Sequence, residues 1–218
     1  MKKRILLKCF AILFLGAVLF LLLFGRAIPS FIKNEKEIRS DSFHLNMNPN
    51  LYYRQTYNNC GPYSVMAVVN ILTKEEKDPE LLSGEMRWRI SKNLTFPQGV
   101  LDQLHENGIK TKEYILSNKS KQGKIEWIKQ TLSQGRPIIC LIKIHHVLHY
   151  VTLLGYNEDG LMLYDSMQEK SSDDQRKTIV DEKCAAGNRY YTYDDFIQLW
   201  DDGGYKIFFR NWAVVCRI

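Results

Sequence analysis

The feature that most constrains the fold of this chain is the segment at residues 55–62, together with the apolar run that follows it. Pro62 fits the first turn of a helix, where a missing N–H loses no partner and a φ of about −65° is already helical. Gly61 lets the backbone turn tightly just before that helix. Residues 63–72 are mostly apolar, which predicts a buried helix. Cys60 is therefore expected at the N-terminus of a buried helix.

At that position Cys60 has the properties of a nucleophile. Unpaired N–H groups and the macrodipole at a helix N-terminus favour an anion, so the pKa of the thiol is predicted to fall. Gln55 carries a side-chain amide that can donate to a developing oxyanion. Further along the chain, His149 and Asp165 provide a base and a residue that orients the base. The alternatives are an inert, buried thiol at Cys60 and an ordinary surface amide at Gln55.

Three histidines lie close together in one apolar tract, namely His145, His146 and His149. His149 is the preferred base because it begins a predicted strand that pairs with the strand ending at Asp165. A three-residue loop at 157–159 would place Asp165 diagonal to His149 on the same face, with backbones about 7–8 Å apart. A two-residue loop would put the two side chains on opposite faces, so the site requires the odd loop or a bulge. Otherwise Asp165 is simply a turn residue.

The order of the predicted elements gives the fold class. Helices come first and strands dominate afterwards, which is typical of an α+β fold. Gly160 suits the left-handed backbone that the loop between two of the strands often needs. The predicted helices cover about residues 60–74, 79–90, 97–107, 125–135 and 194–200, and the predicted strands cover residues 137–144, 149–156, 161–165 and 206–217.

The ordered set Gln55, Cys60-Gly61-Pro62, His149-Tyr150-Val151 and Asp165 resembles the papain-like cysteine peptidases. It is most similar to the branch that contains the bacterial double-glycine leader peptidases and their free-standing relatives. The resemblance covers about residues 51–218. It implies helices packed on a C-terminal antiparallel sheet, a catalytic triad of Cys60, His149 and Asp165, Gln55 as oxyanion donor, and no cofactor.

Two positions depart from the pattern of that family. Asn59 stands where the transporter-linked leader peptidases usually have an acidic residue, and Ser166 stands where the family often has proline. These differences bear on double-glycine specificity more than on thiol chemistry.

The N-terminus is predicted to be a membrane anchor. Four basic residues lie within residues 1–8, and residues 9–25 are uncharged and mostly apolar. Counted from Ile5, with Lys8 snorkelling, about 21 residues give roughly 31 Å of helix, enough to span a bilayer. The alternative is a cleaved secretory signal. The basic flank predicts that the N-terminus stays inside and the remainder lies outside, connected by a polar tether at residues 26–50.

The net charge of +6 does not indicate nucleic-acid binding. Five of the 30 basic residues fall at or before Arg26, and no acidic residue precedes Glu35. Residues 27–218 therefore hold 25 basic and 24 acidic residues, a net charge of +1. No basic stripe interleaved with aromatic residues is present, so the expected partners are a peptide or protein substrate and, through the N-terminal segment, a membrane.

The five cysteines do not suggest a metal site. The spacing of Cys60 and Cys140 relative to the three histidines matches no common zinc pattern, so no metal is expected. Cys184 and Cys216 could form a disulfide outside the cell, or both could be free thiols; the sequence leaves both possibilities open.

The leading hypothesis is a membrane-anchored, extracytoplasmic cysteine peptidase whose catalytic domain spans residues 51–218. One alternative keeps the thioester chemistry but makes the protein an amidase or acyl transferase that acts on cell-wall peptides or other amines. A second alternative is a non-catalytic peptide-binding module of the same fold.

Overall fold

A computed structural model of the chain describes residues 2–32 and 40–218, with side chains from residue 9 onward. Its described part has an α+β fold, as the sequence predicts: a seven-stranded antiparallel sheet with helices on both faces. The helices are α1 (Lys2–Phe24), α2 (Cys60–Thr73), α3 (Pro79–Glu85), α4 (Pro97–Glu106), α5 (Lys121–Ser133) and α6 (Tyr193–Asp201). The strands are β1 (Phe43–His44), β2 (Lys110–Ile115), β3 (Ile138–Ile144), β4 (Val147–Tyr156), β5 (Gly160–Tyr164), β6 (Arg189–Thr192) and β7 (Trp212–Arg217).

The sheet order is β2-β7-β3-β4-β5-β6, and β1 adds to one end of β4. One core lies between the sheet and the helices α2, α3 and α4, and a second core lies under α5 and α6 on the other face. In α2, every residue from Cys60 to Ile71 is buried, which explains why its sequence is apolar on all sides. Each fully buried valine or methionine there contributes roughly 1.5–3 kcal/mol relative to an exposed side chain. The helix that begins at Cys60 is thus held rigidly.

The β4–β5 hairpin reaches the required register by an unexpected route. A three-residue loop at 157–159 would pair Tyr156 with Gly160, but Tyr156 pairs with Leu161. A register shift between Leu153 and Gly155 then moves the partner of Leu153 to Leu163. Beyond that shift the register is the one that the three-residue loop would have given. The bulge therefore brings the strand positions of His149 and Asp165 to the same face, which was the alternative that the sequence left open.

Several element boundaries differ from the predictions. Helix α3 ends at Glu85, because Met86 has extended backbone angles (φ −66°, ψ 123°). The segment that follows folds back on itself, with the N–H of Phe96 bonded to the carbonyl of Trp88. The predicted strand at 206–217 is confirmed only from Trp212 onward. Strands β1, β2 and β6 were not predicted, because their pairing depends on distant partners.

The N-terminal apolar segment forms α1, and the chain after it contacts the domain. The carbonyl of Gly25 accepts from the N–H of Phe209 at 3.0 Å, and Arg26 Nε lies 2.5 Å from a carboxylate oxygen of Glu113. Within residues 2–32 and 40–218, no helix combines the length and the apolar character needed to cross a membrane. This finding does not support the anchor predicted at residues 9–25.

Gly160 is required for close packing rather than for a left-handed backbone. Its φ is not positive, and a Cβ at this position would lie 2.2 Å from the carbonyl oxygen of Tyr191 and 2.7 Å from the hydroxyl of Tyr190. The left-handed role predicted for Gly160 is therefore wrong. Strand β6 can approach β5 only because this residue has no side chain.

Replacing Gly160 by alanine is expected to lower the free energy of unfolding by about 1–3 kcal/mol, because the methyl group would overlap with β6. The control is Gly84→Ala in α3, where a Cβ meets nothing within 4 Å. That change should raise the free energy of unfolding by roughly 0.5–1 kcal/mol. Urea unfolding of the three proteins measures both effects, and a Gly160→Ala variant as stable as the native chain would contradict this account.

Candidate active site

Cys60 is the first residue of α2, as predicted, and only 9% of it is exposed. The N–H groups of the first helical turn have no acceptor within the helix, so they point toward the end where the thiol lies. Gly61 lets this end pack tightly, because a Cβ there would be 3.2 Å from three side-chain atoms of Thr95. The Cys60 thiol therefore lies at the N-terminus of α2, which carries the positive end of the helix dipole.

His149 and Asp165 form a buried pair next to this thiol. The ring nitrogen Nε2 of His149 lies 2.7 Å from Oδ1 of Asp165, and the two residues are 0% and 2% exposed. The other ring nitrogen, Nδ1, is buried and makes no hydrogen bond of normal geometry within the described part of the chain. Cys60 lines the same cleft as His149, and its charge raises the pKa of the ring. Cys60, His149 and Asp165 therefore lie together in one site.

The protonation states of these three residues depend on one another. Burial raises the pKa of the Cys60 thiol, but the hydrogen bond and charge of His149, with the backbone of Tyr150 and Gly61, bring it below its ordinary 9.0. Burial also disfavours the charged imidazole, yet Asp165 and Cys60 together raise the pKa of His149 to about 10. The carboxyl pKa of Asp165 falls below 3.8, because the charge of His149 outweighs burial. All three shifts act toward the thiolate, the imidazolium and the carboxylate.

Gln55 lies beside these three residues and contacts the residue that follows Asp165. The backbone N–H of Gln55 donates to the carbonyl of Ser166 at 2.9 Å, and the hydroxyl of Ser166 donates to Gln55 Oε1 at 2.7 Å. Gln55 and Cys60 line the same cleft. The structure thus brings together all four residues that the sequence singled out.

Asn188 holds Asp165 in place and was not found from the sequence. Its Oδ1 accepts from the N–H of Asp165 at 2.7 Å, and its Nδ2 donates to the carbonyl of the same residue at 2.8 Å. The N–H of Met167 also donates to Asp165 Oδ1 at 2.7 Å. The only sequence signal is the turn-forming Gly187-Asn188 pair, in which Gly187 has φ of 76°.

Asn59, the residue before Cys60, connects the start of α2 to the neighbouring loops. Its Oδ1 accepts from Arg89 Nη2 at 2.5 Å, while its Nδ2 donates to Thr56 Oγ1 at 2.7 Å and to Glu80 at 3.2 Å. An amide can accept and donate at once, which a carboxylate cannot. Asn59 therefore ties the segment that carries Gln55 to both a cation and an anion.

The cleft above Cys60 has a volume of about 410 Å³. Its walls are largely apolar, whereas Gln55, Cys60 and His149 supply polar groups. The apolar side chains that line it are Ile90, Leu94, Phe96, Leu141, Val147, Leu148, Met167 and Phe209.

The competing histidines and cysteines lie elsewhere. His145 and His146 form an exposed turn between β3 and β4, with φ of 48° and 68°, and neither lines the cleft. Cys184 and Cys216 are free, so the disulfide that the sequence left open is not formed. Burial raises the pKa of the Cys184 thiol to about 12 and also raises that of Cys216. Within the described residues, no group of three or more His, Cys, Asp or Glu side chains is arranged to hold a metal ion.

Comparisons with known proteins bear on the family and the fold. The model of the family described as Peptidase C39 like matches residues 48–196. The structure of a C39-like peptidase from Bacillus anthracis matches with a TM-score of 0.51 and 12% identity, over 81% of this chain and 98% of that one. The peptidase domain of Streptococcus ComA, described as a bifunctional ABC transporter of a quorum-sensing pathway, gives a TM-score of 0.47 and 14% identity, over 77% and 99%. A cysteine protease from Carica candamarcensis gives 0.41 and 14%, over 64% and 93%. No curated protein sequence matches.

The alkylation rate of Cys60 should report the lowered pKa of its thiol. In the native protein, the rate with limiting iodoacetamide should rise with pH with a midpoint below 9.0, since His149 stabilises the thiolate. In His149→Ala the same midpoint should move upward, because burial then acts without a cation. Mass spectrometry of the labelled peptides measures both. Equal labelling of Cys60, Cys140, Cys184 and Cys216 in the native protein would contradict the assignment of Cys60 as the reactive thiol.

Proposed function

This chain belongs to the Peptidase C39-like family, and we propose that it is a cysteine peptidase that uses Cys60 as its nucleophile. The family match covers the segment that carries Gln55, Cys60, His149 and Asp165. In this proposal the Cys60 thiolate attacks the carbonyl carbon of a peptide bond. The electron pair of the carbonyl moves to its oxygen, which becomes an oxyanion beside Gln55 and the N–H of Cys60.

His149 acts first as an acid and then as a base. The imidazolium gives its proton to the leaving amine as the C–N bond breaks, which leaves a thioester on Cys60. The neutral imidazole next takes a proton from a water molecule that attacks the thioester. The thiolate leaves, and the peptide acid is released. Asp165 keeps the ring oriented and stabilises its cationic form throughout.

The observation that carries this proposal is the buried contact of 2.7 Å between His149 and Asp165 next to Cys60. Burying two ionisable groups has a desolvation cost of several kcal/mol per ion, which a simple peptide-binding surface does not require. A thiol of lowered pKa at a helix N-terminus adds to the argument, because this combination produces a nucleophile.

The cleft suggests what part of a substrate it accepts. Its walls are mostly apolar, so it fits an extended peptide segment with apolar side chains beside the bond that is cut. A peptide bound against such walls would displace water, which would strengthen the electrostatic interactions at the oxyanion.

Substitution of the base and of its partner should have different effects. His149→Ala should reduce hydrolysis by roughly 10²–10⁴-fold, since both the proton carrier and the cation are lost. Asp165→Asn should reduce it less, because the amide oxygen still accepts from the ring. The matched control is His146→Asn, which changes an exposed turn histidine and keeps a residue that tolerates a positive φ. Its activity should equal that of the native protein.

The readout for these variants does not need a known substrate. A mixture of denatured proteins is incubated with each variant, and the newly formed N-termini are identified by mass spectrometry. With an added amine, an acyl transferase would yield amide products in place of free acids, and a peptide-binding module would yield no new termini. Equal numbers of new termini from the native protein and from His149→Ala would contradict the peptidase proposal.

We also propose that the catalytic domain lies outside the cytoplasm, a proposal that rests on the sequence alone. Four basic residues lie within residues 1–8, and only Arg26 closely follows the apolar segment. Protease added to intact cells should therefore cut within residues 26–50 and release a fragment that contains Cys60. A cytoplasmic protein followed in the same samples is the control. If the fragment forms only after lysis, the orientation is reversed.

A further inference from the structure

Ser166 is a buried residue that contacts the side chain of Gln55 directly. It is 1% exposed, and its hydroxyl donates to Gln55 Oε1 at 2.7 Å. Its carbonyl accepts from the backbone N–H of Gln55 at 2.9 Å. Because two hydrogen bonds join the same two residues, both the backbone and the head group of Gln55 are fixed relative to Ser166.

The observed bond places the oxygen end of the Gln55 amide against Ser166. A glutamine amide has one accepting oxygen and an NH₂ group with two donors. When Oε1 accepts from Ser166, the NH₂ group remains free to donate on the side of the cleft that Gln55 shares with Cys60. If the amide were rotated by half a turn, its oxygen would face the developing oxyanion and repel it.

We propose that Ser166 is a positioning residue that holds the Gln55 amide with its NH₂ group toward the oxyanion. The inference rests on the proposed function, since it assigns Ser166 a role only through the oxyanion. In this proposal two adjacent residues have related roles, since Asp165 orients the base and Ser166 orients the oxyanion donor.

The packing around Ser166 supports a positioning role. A buried hydroxyl needs a hydrogen-bond partner. The hydroxyl of Ser166 bonds to the end of a half-buried, flexible side chain that comes from a segment 111 residues away. Fixing that side chain costs rotamer entropy during folding, so the same entropy is not lost again when the oxyanion forms.

Two reagents that react at Cys60 separate this role from the activation of the thiol. With p-nitrophenyl acetate, the thiolate adds to the ester carbonyl, an oxyanion forms, and p-nitrophenolate leaves with the electron pair of the broken C–O bond. With iodoacetamide, the thiolate displaces iodide at a saturated carbon, and no oxyanion forms. Only the first reaction depends on the Gln55 amide.

Ser166→Ala should slow the acylation of Cys60 by p-nitrophenyl acetate by about tenfold, because the freed amide adopts the productive orientation only part of the time. The rate and pH profile of alkylation by iodoacetamide should not change, since His149 and Asp165 keep their contact. Ser166→Thr retains the hydroxyl and should restore the acylation rate. In the Gln55→Ala background, Ser166→Ala should have no further effect on acylation.

Controls distinguish the possible failures. Ser120→Ala removes a hydroxyl that caps α5 through the N–H of Gly123, on the opposite face of the sheet from α2, and should change neither rate. If Gln55→Ala slows acylation but Ser166→Ala does not, the positioning role is wrong and the oxyanion role of Gln55 stands. If the losses from Gln55→Ala and Ser166→Ala multiply, Ser166 acts by another route and the inference is overturned. If the native Cys60 reacts selectively with neither reagent, both proposals fail.

Discussion

The buried contact between His149 and Asp165 is the interaction on which the rest of the site depends. A carboxylate removed from water is destabilised by several kcal/mol unless charge and hydrogen bonds compensate. Asp165 receives charge from the imidazolium of His149 and a hydrogen bond from the N–H of Met167. Asn188 also bonds to both the N–H and the carbonyl of Asp165. The stable carboxylate then keeps the ring charged, and the charged ring lowers the pKa of the Cys60 thiol. The lowered pKa of the Cys60 thiol thus depends on the contacts that stabilise the Asp165 carboxylate.

Local sequence signals were enough to predict one half of the site. The Gly61-Pro62 pair and the apolar run after it define where α2 begins, and this fixes the position of Cys60. The prediction succeeded because a helix N-terminus is determined by a few adjacent residues. The end of α3 was harder to predict, since Met86 follows the helix without being Pro or Gly, and the nearby Gly84 lies inside the helix.

The other half of the site depends on contacts that a single sequence does not display. The geometry of His149 and Asp165 was anticipated correctly as a requirement, but it is met by the bulge near Gly155 and not by the predicted loop. The roles of Asn188 and Ser166 were not found, since their partners lie far away along the chain and no spacing rule links them. Long-range pairs of this kind are set by the tertiary fold, so composition and periodicity carry no trace of them.

The chain joins the two halves of the site through a short run of hydrogen bonds between distant segments. The N–H of Arg54 donates to the carbonyl of Arg176, the N–H of Gln55 donates to that of Ser166, and the N–H of Thr178 donates to that of Tyr52. One segment leads directly into Cys60 and α2, and the other follows directly from β5 and Asp165. Because these bonds fix the two segments against each other, a shift of the sheet relative to α2 would move Gln55 together with Asp165. Gln55 and Asp165 therefore keep a constant position relative to each other. Their distance from the Cys60 thiol is then set by the packing of α2 against the sheet.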